Sequence, residues 1–484
     1  MLLPRRVPLL SFILLVVGAN ADSFENTAIV RTVDLGGSVV QVATTFAVKA
    51  LEANARVYTI ALGDAEMQKT SWLEARVKGQ ATPLAVTDHP GSTDNGVHLV
   101  DIILPKPLAL NATLNIILDA IQTHATFPWP ERASQQEPQS LKYGSDLFVL
   151  SPYKTLVQRT KIKSPTPNIH GFSTPEKMED FTFEEPVTKS GATITYGPYN
   201  NIVPSANAAF VKKYQRPVQV HFEYDYPVGE VSKLLRTAEI SHWGANLNIQ
   251  DEIWLRNAGP ELKGHFSRLE HQTQAFYNRA ASHVIPGLTL HLPAGIRNTY
   301  YYDLVGNVST SRLRTAPSVP KDSPNKQYSV LELKPRYPIM GGWNYSFTLG
   351  WDAPLADSAS WDKSTGKYIV EIPVLTPFPA TVVNDAELKI ILPEGATDVD
   401  FATPFVAHST SFSTHTTYLD TTGRPAITLR FTDLTEKHAL PLYVSYKVPL
   451  SAHLKKPIAV AVAFFSVFVF GLAARRIDLR IHQK

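Results

Sequence analysis

The sequence contains no cysteine in its 484 residues. This absence excludes disulfide bonds, zinc sites built from thiolates and cysteine nucleophiles. The fold must therefore rest on its hydrophobic cores. About 430 residues lie between two terminal apolar segments, which is too many for a single core, so we expect two or three domains.

The chain also has little net charge. Its formal charge is +3 at pH 7, and this excess lies at the two ends. Arg5 and Arg6 contribute two positive charges and residues 475–484 a net three, so residues 22–474 carry a net −2. A nearly neutral body without a long basic run argues against nucleic acid or anionic lipid as the partner.

One stretch near the C-terminus lacks charge altogether. Residues 457–474 read PIAVAVAFFSVFVFGLAA, and Arg475 and Arg476 follow at once. As a helix this run would be about 27 Å long. That length suits the ER bilayer, at about 27 Å, better than the plasma membrane at about 32 Å. We predict a transmembrane helix at 457–474; the alternative is a buried helix of a soluble protein.

The N-terminus has the pattern of a secretory signal. Arg5 and Arg6 precede the apolar run 7–17, and Ala19-Asn20-Ala21 fits a cleavage site. Residues 1–21 are therefore predicted to be removed, so that the mature chain begins at Asp22. Residues 475–484, with four positive residues and one negative, then form a cytosolic tail, as the positive-inside rule expects. The sequence predicts a type I membrane protein of the ER, with its N-terminus lumenal.

Three N-glycosylation sequons lie on the predicted lumenal side. They begin at Asn111, Asn307 and Asn344 and read Asn-Ala-Thr, Asn-Val-Ser and Asn-Tyr-Ser. Each is predicted to be a surface site that can carry a glycan.

Alternating strand patterns dominate the rest of the chain. Val39–Val48, Val218–Tyr224, Asn246–Ile249 and Lys367–Ile372 alternate with a period of two, and proline, glycine and asparagine separate such runs. This pattern is typical of antiparallel β-sandwiches. Residues 259–281 are the clearest exception, because Leu262, Phe266, Leu269 and Thr273 have helical spacing, although a loop-rich hairpin also fits.

The sequence also repeats itself weakly. Arg31-Thr32-Val33-Asp34-Leu35 resembles Arg236-Thr237-Ala238-Glu239-Ile240, and 220–227 resembles 442–449. So long a repeat implies two domains in tandem. We predict a mostly β protein with two β-sandwich-like lumenal domains, 22–230 and 231–456, before the transmembrane helix. Residues 164–204, rich in proline and charge, are predicted to be a surface insertion in the first domain.

Catalytic and metal-binding motifs are missing. The sequence has no Gly-x-Ser-x-Gly, phosphate-binding loop or His-Glu-x-x-His. His265 and His271 are six residues apart and fit a metal site poorly, and a single Asp398-Val399-Asp400 favours a loop. We expect no cofactor, metal or catalytic residue. Paired carboxylates for glycoside hydrolysis stay open, because their separation depends on the fold.

The apolar run carries small residues on one helical face. Ala459, Ala463 and Ser466 have the spacing i, i+4 and i+7, with Phe468 directed elsewhere. Small residues in a line allow a neighbouring helix to approach closely. This face is predicted to pack on a partner helix; the alternative is a simple anchor.

Several longer blocks resemble the ribophorin I family, whose members are the large type I subunits of the ER oligosaccharyltransferase. The main block runs from Ser241-His242-Trp243-Gly244-Ala245-Asn246 through 262–268, LKGHFSR. Supporting matches lie at 144–146, 151–155, 301–303, 306–311, 334–338 and 341–343. The similarity covers essentially the whole mature ectodomain. Animal members continue into a large cytosolic domain, so this chain is similar to the short fungal form.

The resemblance implies a non-catalytic role in protein N-glycosylation. In that family's complex, a separate multi-spanning subunit transfers the glycan from a dolichol carrier to the Asn of Asn-x-Ser/Thr. The expected partners are therefore this catalytic subunit and other subunits of the complex, with nascent polypeptide, the translocon and the ER membrane as further partners. Two other classes stay open at this point, a lumenal glycan-acting hydrolase and a type I adhesion or receptor protein.

Overall fold

The computed structural model describes residues 23–90, 96–182, 185–277, 281, 283–318, 327–418 and 420–476. It is mostly β, with 53% strand and 13% helix, which confirms the predicted fold class. The predicted signal peptide 1–21, its cleavage site between Ala21 and Asp22, and tail residues 477–484 lie outside the described residues.

The first half of the chain consists mainly of strands. Its elements are β1 Phe24–Asp34, β2 Val39–Ala50, β3 Ala55–Gly63, α1 Asp64–Lys69, β4 Thr70–Val77, β5 Pro83–Leu84, β6 Val86–Asp88, β7 Val97–Leu108, β8 Thr113–Thr123, β9 Thr126–Pro128, β10 Arg132–Ala133, β11 Ser140–Asp146, β12 Thr155–Lys163, β13 Ile169–Phe172, β14 Val187–Ser190, β15 Thr193–Ile202, α2 Ala208–Tyr214 and β16 Pro217–Glu223.

The second half is built in the same way and ends in one long helix. Its elements are β17 Gly229–Ser241, β18 Asn246–Asn257, β19 Glu261–Leu262, α3 Arg268–Phe276, β20 Leu288–Pro293, β21 Arg297–Asp303, β22 Gly306–Asn307, β23 Ser311–Arg314, β24 Tyr328–Leu333, β25 Asn344–Pro354, α4 Leu355–Ser358, β26 Ala359–Asp362, β27 Lys367–Pro373, β28 Val382–Ile391, β29 Thr397–Ala402, β30 Ser409–His415, β31 Arg424–Leu434, a 3-10 turn Glu436–His438, β32 Pro441–Lys447 and α5 Leu450–Arg476.

The two halves have the same strand order in an eight-stranded main sheet. The first main sheet is β14-β15-β12-β1-β2-β8-β4-β5, and the second is β30-β31-β28-β17-β18-β25-β21-β22. Each contains a parallel pair at the corresponding position, β1 with β12 and β17 with β28. Each opens with a long antiparallel hairpin, β1 with β2 and β17 with β18.

The smaller sheets repeat as well. The sheet β3-β7-β6 corresponds to β20-β24-β23, and β9-β11-β16-β13 corresponds to β26-β27-β32-β29. The sequence matches agree with this correspondence, because RTVDL lies at the end of β1 and RTAEI lies in β17, while the matched segments 220–227 and 442–449 begin in β16 and β32. The predicted internal repeat is therefore confirmed at the level of topology.

Each half has its own hydrophobic cluster. In the second half, side chains of the main sheet, such as Ile249 and Leu388, pack with Leu290 and Val444 from the smaller sheets. In the first half, Phe46 and Ile116 from the main sheet pack with Ile60 and Ile102 from β3 and β7. Burial of one face of each sheet explains the alternating apolar pattern and gives the sandwich-like layering.

Residue contacts divide the chain into two compact units. One unit comprises residues up to Leu35, Gln41–Gln122 and Gly144–Val220; the other comprises Gly36–Val40, Thr123–Tyr143 and the chain from His221 onward. The second unit therefore includes two segments from the first half of the chain. The predicted boundaries at 22–230 and 231–456 stay predictions.

Part of the predicted surface insertion at 164–204 belongs to the core instead. Strand β15 pairs with β12 in the first main sheet and buries Ile194, Tyr196 and Tyr199. The proline-rich and charged composition describes only the segment before this strand. The alternating apolar residues of β15 were the signal for a strand.

The predicted helical segment 259–281 is helical over α3 only. Leu262 belongs to β19, which pairs in parallel with β10, and Leu269 in α3 is 76% exposed. The helical spacing of apolar residues therefore did not mark a buried helix face here.

Helix α5 contains the predicted span and begins earlier. It runs through Leu450–Arg476 and is long and apolar enough to cross a membrane, and none of its apolar window is buried among the residues that the structure describes. The seven residues before Pro457 are also helical, because helical hydrogen bonding does not require apolar side chains.

Candidate functional site

The three sequons lie on the surface. Asn111 is in the turn before β8 with a positive φ of 61°, Asn307 is in β22, and Asn344 begins β25. All three asparagines are exposed. Exposure is what glycosylation requires of an acceptor, but whether glycans are attached stays a prediction.

The residues weighed as metal ligands do not converge. The described part of the chain holds no group of three or more His, Asp or Glu residues placed to bind a metal. Asp398 forms a 2.7 Å ion pair with Lys447, and Asp400 accepts a hydrogen bond from the backbone N–H of Phe401. The Asp-x-Asp segment is therefore part of strand β29 and not the predicted loop, and Asp398 joins it to Lys447 of the neighbouring β32.

A group of charged side chains lies where α5 meets the sheets of the second compact unit. We call it the juxtamembrane cluster; it consists of three acids and three bases, Glu239, Glu394, Asp420, Arg424, Lys455 and Lys456. These residues come from β17, the loops before β29 and β31, β31 itself and α5. The cluster is the densest ion-pair network among the residues that the structure describes.

Glu394 connects α5 to the loop before β31. Lys455 Nζ and Lys456 Nζ lie 3.5 and 3.3 Å from its carboxylate oxygens. The backbone N–H and hydroxyl groups of Thr421 and Thr422 also donate to its Oε1, at 2.8–3.0 Å. Glu394 alone thus joins Lys455 and Lys456 of α5 to the loop that holds Thr421 and Thr422.

Asp420 forms the second connection. Its side chain is fully buried and pairs with Lys456 at 3.1 Å and with Arg424 at 3.0 Å. Arg424 also contacts Glu239 on β17. Because the three acids and three bases neutralise one another, the cluster fixes the start of α5 without leaving a net charge.

Both central acids remain ionised at neutral pH. Burial raises the pKa of Glu394, but hydrogen bonds from Thr422 and Thr421 outweigh burial and hold the pKa below its ordinary value. Burial likewise raises the pKa of Asp420, but hydrogen bonds from Thr417, Lys456 and Arg424 lower it to about 2. Both pKa values are depressed by folding, so the acids stabilise the folded state above about pH 4 and lose that contribution only in stronger acid.

A small cavity of about 130 Å³ opens beside the juxtamembrane cluster. Trp243, His242, His453 and Lys456 contribute to its lining. The hairpin between β17 and β18 holds the first two, and the Ser241 hydroxyl accepts a hydrogen bond from the Gly244 N–H at 2.9 Å in that turn. This turn is the block Ser241–Asn246 that carries the family resemblance.

The histidine of this turn is neutral at pH 7. Burial, and then the nearby His453, lower the pKa of His242. Its Nε2 is joined by a 2.8 Å hydrogen bond to the hydroxyl of Tyr446, whose pKa burial raises. The ring also packs against Tyr368 at 4.5 Å. His242 is therefore a half-buried residue that packs against Tyr368 and is hydrogen-bonded to Tyr446.

The small-residue face of α5 is exposed along its length. Ala459, Ala463 and Ser466 are all exposed, so no residue that the structure describes covers them. The Ser466 hydroxyl donates to the Val462 carbonyl of the same helix at 2.8 Å, which removes its need for a polar partner. Whether another helix packs on this face stays a prediction.

Sequence reasoning missed the juxtamembrane cluster. Lys455 and Lys456 were visible beside the apolar run, but their partners Glu394 and Asp420 lie tens of residues earlier in separate loops. No local spacing connects loops that meet only after the sheets form. The one sequence signal was the match at Ser241–Asn246, which marks the same end of the second compact unit.

Comparison with known proteins identifies relatives along nearly the whole chain. The family model described as ribophorin I matches residues 24–475. A rice (Oryza sativa subsp. japonica) protein named dolichyl-diphosphooligosaccharide–protein glycosyltransferase subunit 1B is 30% identical over 95% of this chain and 93% of its own length. The Arabidopsis thaliana subunit 1B is 34% identical over 86% and 82% of the two chains.

A more distant relative and a solved structure complete the comparison. Subunit 1 from Caenorhabditis elegans is 29% identical over 95% of this chain and 73% of its own. A solved structure of yeast LTA4 hydrolase aligns with 42% of this chain and 30% of its own at 10% identity, and its TM-score of 0.26 is too low to carry an argument. From the family match and these relatives, we conclude that the chain belongs to the ribophorin I family.

Proposed function

We propose that this protein is a non-catalytic subunit of the oligosaccharyltransferase, the complex that transfers a dolichol-linked oligosaccharide to Asn of Asn-x-Ser/Thr. The observation that carries the proposal is the similarity to proteins named as subunit 1 of this glycosyltransferase over nearly their whole length. In this role the chain supports assembly and presents substrate, and the chemistry belongs to a multi-spanning partner subunit.

The architecture supports a bracing role. The second compact unit contains α5, and the juxtamembrane cluster joins this helix to the sheets of that unit by paired charges. A helix fixed in this way transmits the position of a membrane partner to the folded body. Other subunits of the complex, nascent polypeptide and the translocon are the partners that we propose for it.

We also propose that the chain is a type I protein of the ER membrane. The helix length, the positive residues after it and the N-terminal signal support this orientation. The sequons at Asn111, Asn307 and Asn344 would then face the lumen, where glycans are added. Protease protection of a tag placed after Lys484 in intact microsomes would contradict this orientation.

The function is tested by removing the protein from cells and by assaying it alone. Depletion should leave secretory glycoproteins lacking glycans. It should also reduce the amount of assembled complex, because the subunit that supports assembly is missing. The purified full chain, with its own membrane helix, should transfer no glycan from a lipid-linked donor to an acceptor peptide. Normal glycosylation after complete depletion would refute the link to the complex, and transfer by the purified chain would refute the non-catalytic role.

A further inference from the structure

Two large aromatic side chains are exposed at the end of the second compact unit from which α5 emerges. Trp243 is 63% exposed in the turn between β17 and β18, and Tyr418 is 98% exposed in the loop before β31. Single exposed apolar residues are normal on a protein surface. The shared position of these two, beside a candidate membrane span, is what calls for an explanation.

The contacts of α5 fix how close these aromatics are to the apolar run. Trp243 and Lys456 line the same cavity, and Lys456 directly precedes Pro457, where the uncharged run begins. Tyr418 stands three residues before Thr421, which donates to Glu394, and Glu394 pairs with Lys455 and Lys456. Both aromatics therefore lie at the level where α5 would enter the bilayer.

We call the surface that carries Trp243 and Tyr418 the rim. Its side chains are of the kind found at the boundary between lipid headgroups and acyl chains. Tryptophan and tyrosine concentrate at that boundary, because their rings are apolar and their N–H or O–H groups can still reach water. Charge does not oppose the approach, because the juxtamembrane cluster pairs its three acids with its three bases. Leu450, at the start of α5, adds a further exposed apolar side chain at this end.

The opposite end of the same strands supplies a contrast. Strand β30 runs from Ser409 to His415, and His415 pairs with Arg424 of the juxtamembrane cluster, so Ser409 marks the far end. Seven residues of strand separate the two ends by about 20 Å. Val406, which precedes that far end, is 93% exposed and is the matched position away from the rim.

We propose that Trp243 and Tyr418 insert into the interfacial layer of the bilayer that α5 spans. The second compact unit would then contact the membrane at three points, which fixes its tilt as well as its attachment. The partner of these two side chains is the interfacial layer of zwitterionic lipids, whose headgroups carry no net charge, and not a protein. The inference rests on α5 spanning the bilayer, and it does not depend on which side of the membrane the unit faces.

The absence of cysteine permits a direct test with single-cysteine variants. We would label Trp243→Cys, Tyr418→Cys, the far-end control Val406→Cys and the mid-span control Phe465→Cys with a fluorophore. Each full-length protein would be reconstituted in phosphatidylcholine vesicles with and without nitroxide-bearing lipid. Nitroxide lipid should quench the labels at 243 and 418 at least about twofold more than the label at 406, since interfacial groups sit about 5–10 Å into the lipid boundary.

The controls separate the possible failures. Quenching at 465 with none above the far-end level at 243 and 418 would overturn the insertion while leaving the span intact. No quenching at 465 would overturn the span and, with it, the inference. As a check without cysteine substitution, brominated lipid should quench the native tryptophan fluorescence of the unaltered protein more than that of Trp243→Phe.

Discussion

Arg31 and Arg236 are buried arginines at corresponding positions of β1 and β17. The Arg31 guanidinium donates to the backbone carbonyls of Asp146 and Leu147 at the end of β11, and Arg236 donates to the carbonyl of Pro373 at the end of β27 at 2.9 Å. Since β11 and β27 also correspond, each arginine ties the central strand of a main sheet to the same strand of a smaller sheet.

The two arginines differ in their charged partner. Arg236 forms a bidentate pair with Asp251 on β18, with both N–O distances at 2.6 Å, and both side chains are almost completely buried. In the first half the position opposite Arg31 is Thr44, and the nearest acid is Glu66 at 4.0 Å. Arg236 therefore forms a fully desolvated ion pair that has no counterpart at Arg31.

We expect Arg236→Met to destabilise the second unit strongly. The substitution leaves Asp251 as a buried charge without its partner, and such a change costs about 3–5 kcal/mol. The matched control is Arg430→Met, because Arg430 pairs with Glu387 on the surface and 60% of its side chain is exposed. Removing a surface pair costs about 0–1 kcal/mol. Denaturant unfolding of the full chain in mild detergent measures both; equal losses would contradict the argument.

At the scale of elements, the N-terminal part of α5 is held by ion pairs, whereas its apolar part is exposed. Its first turns are held by Glu394 and Asp420, whereas none of its apolar window is buried against the described part of the chain. A helix such as α5, which is held at one end and exposes its apolar side chains, is suited to bind another helix in the membrane. The line of small residues marks the side on which close approach is easiest.

We therefore expect Ala463→Leu to weaken co-purification of the other subunits, because the larger side chain keeps a neighbouring helix away. Loss of about 1 kcal/mol of packing would lower the recovered partner about fivefold. Phe468→Leu is the control, since it changes an apolar side chain away from the small face. Quantitative immunoblots after detergent purification give the ratio; equal recovery from both variants would leave α5 as a simple anchor.

At the scale of the whole molecule, the repeat of topology and the compact units do not coincide. Strand order divides the chain between Glu223 and Gly229, but residues 123–143 group with the second unit. There β10 pairs with β19, and the buried Gln135 amide exchanges two hydrogen bonds with the backbone of Ser267, at 3.0 and 3.1 Å. The second unit is thus completed by a segment from the first half.

The sequence could predict the features that depend on local patterns but not those that depend on long-range contacts. Alternation within strands is local, and matched segments such as RTVDL and RTAEI share one chemistry, so the mostly β fold and the repeat could be predicted. The pairing of Gln135 with Ser267 joins residues 132 positions apart. The bonds from Glu394 to the threonine loop and to α5 are also long-range. Such contacts depend on how loops meet after folding, and no periodicity records them.

The last prediction concerns the independence of the second half. Residues 229–484, expressed in microsomes behind a signal sequence and exposed to protease after the vesicles are opened with mild detergent, should be more protease-sensitive around 259–268 than the same region of the full chain. The reason is that Glu261 N–H and Lys263 N–H donate, both at 2.8 Å, to the carbonyls of Glu131 and Ala133, which this fragment lacks. Co-expression of residues 1–228 should restore the protease resistance of this region. Residues 1–228 carrying Gln135→Ala should restore less of it. If residues 229–484 alone resist protease as well as the full chain does, residues 123–143 are not needed to complete the second unit.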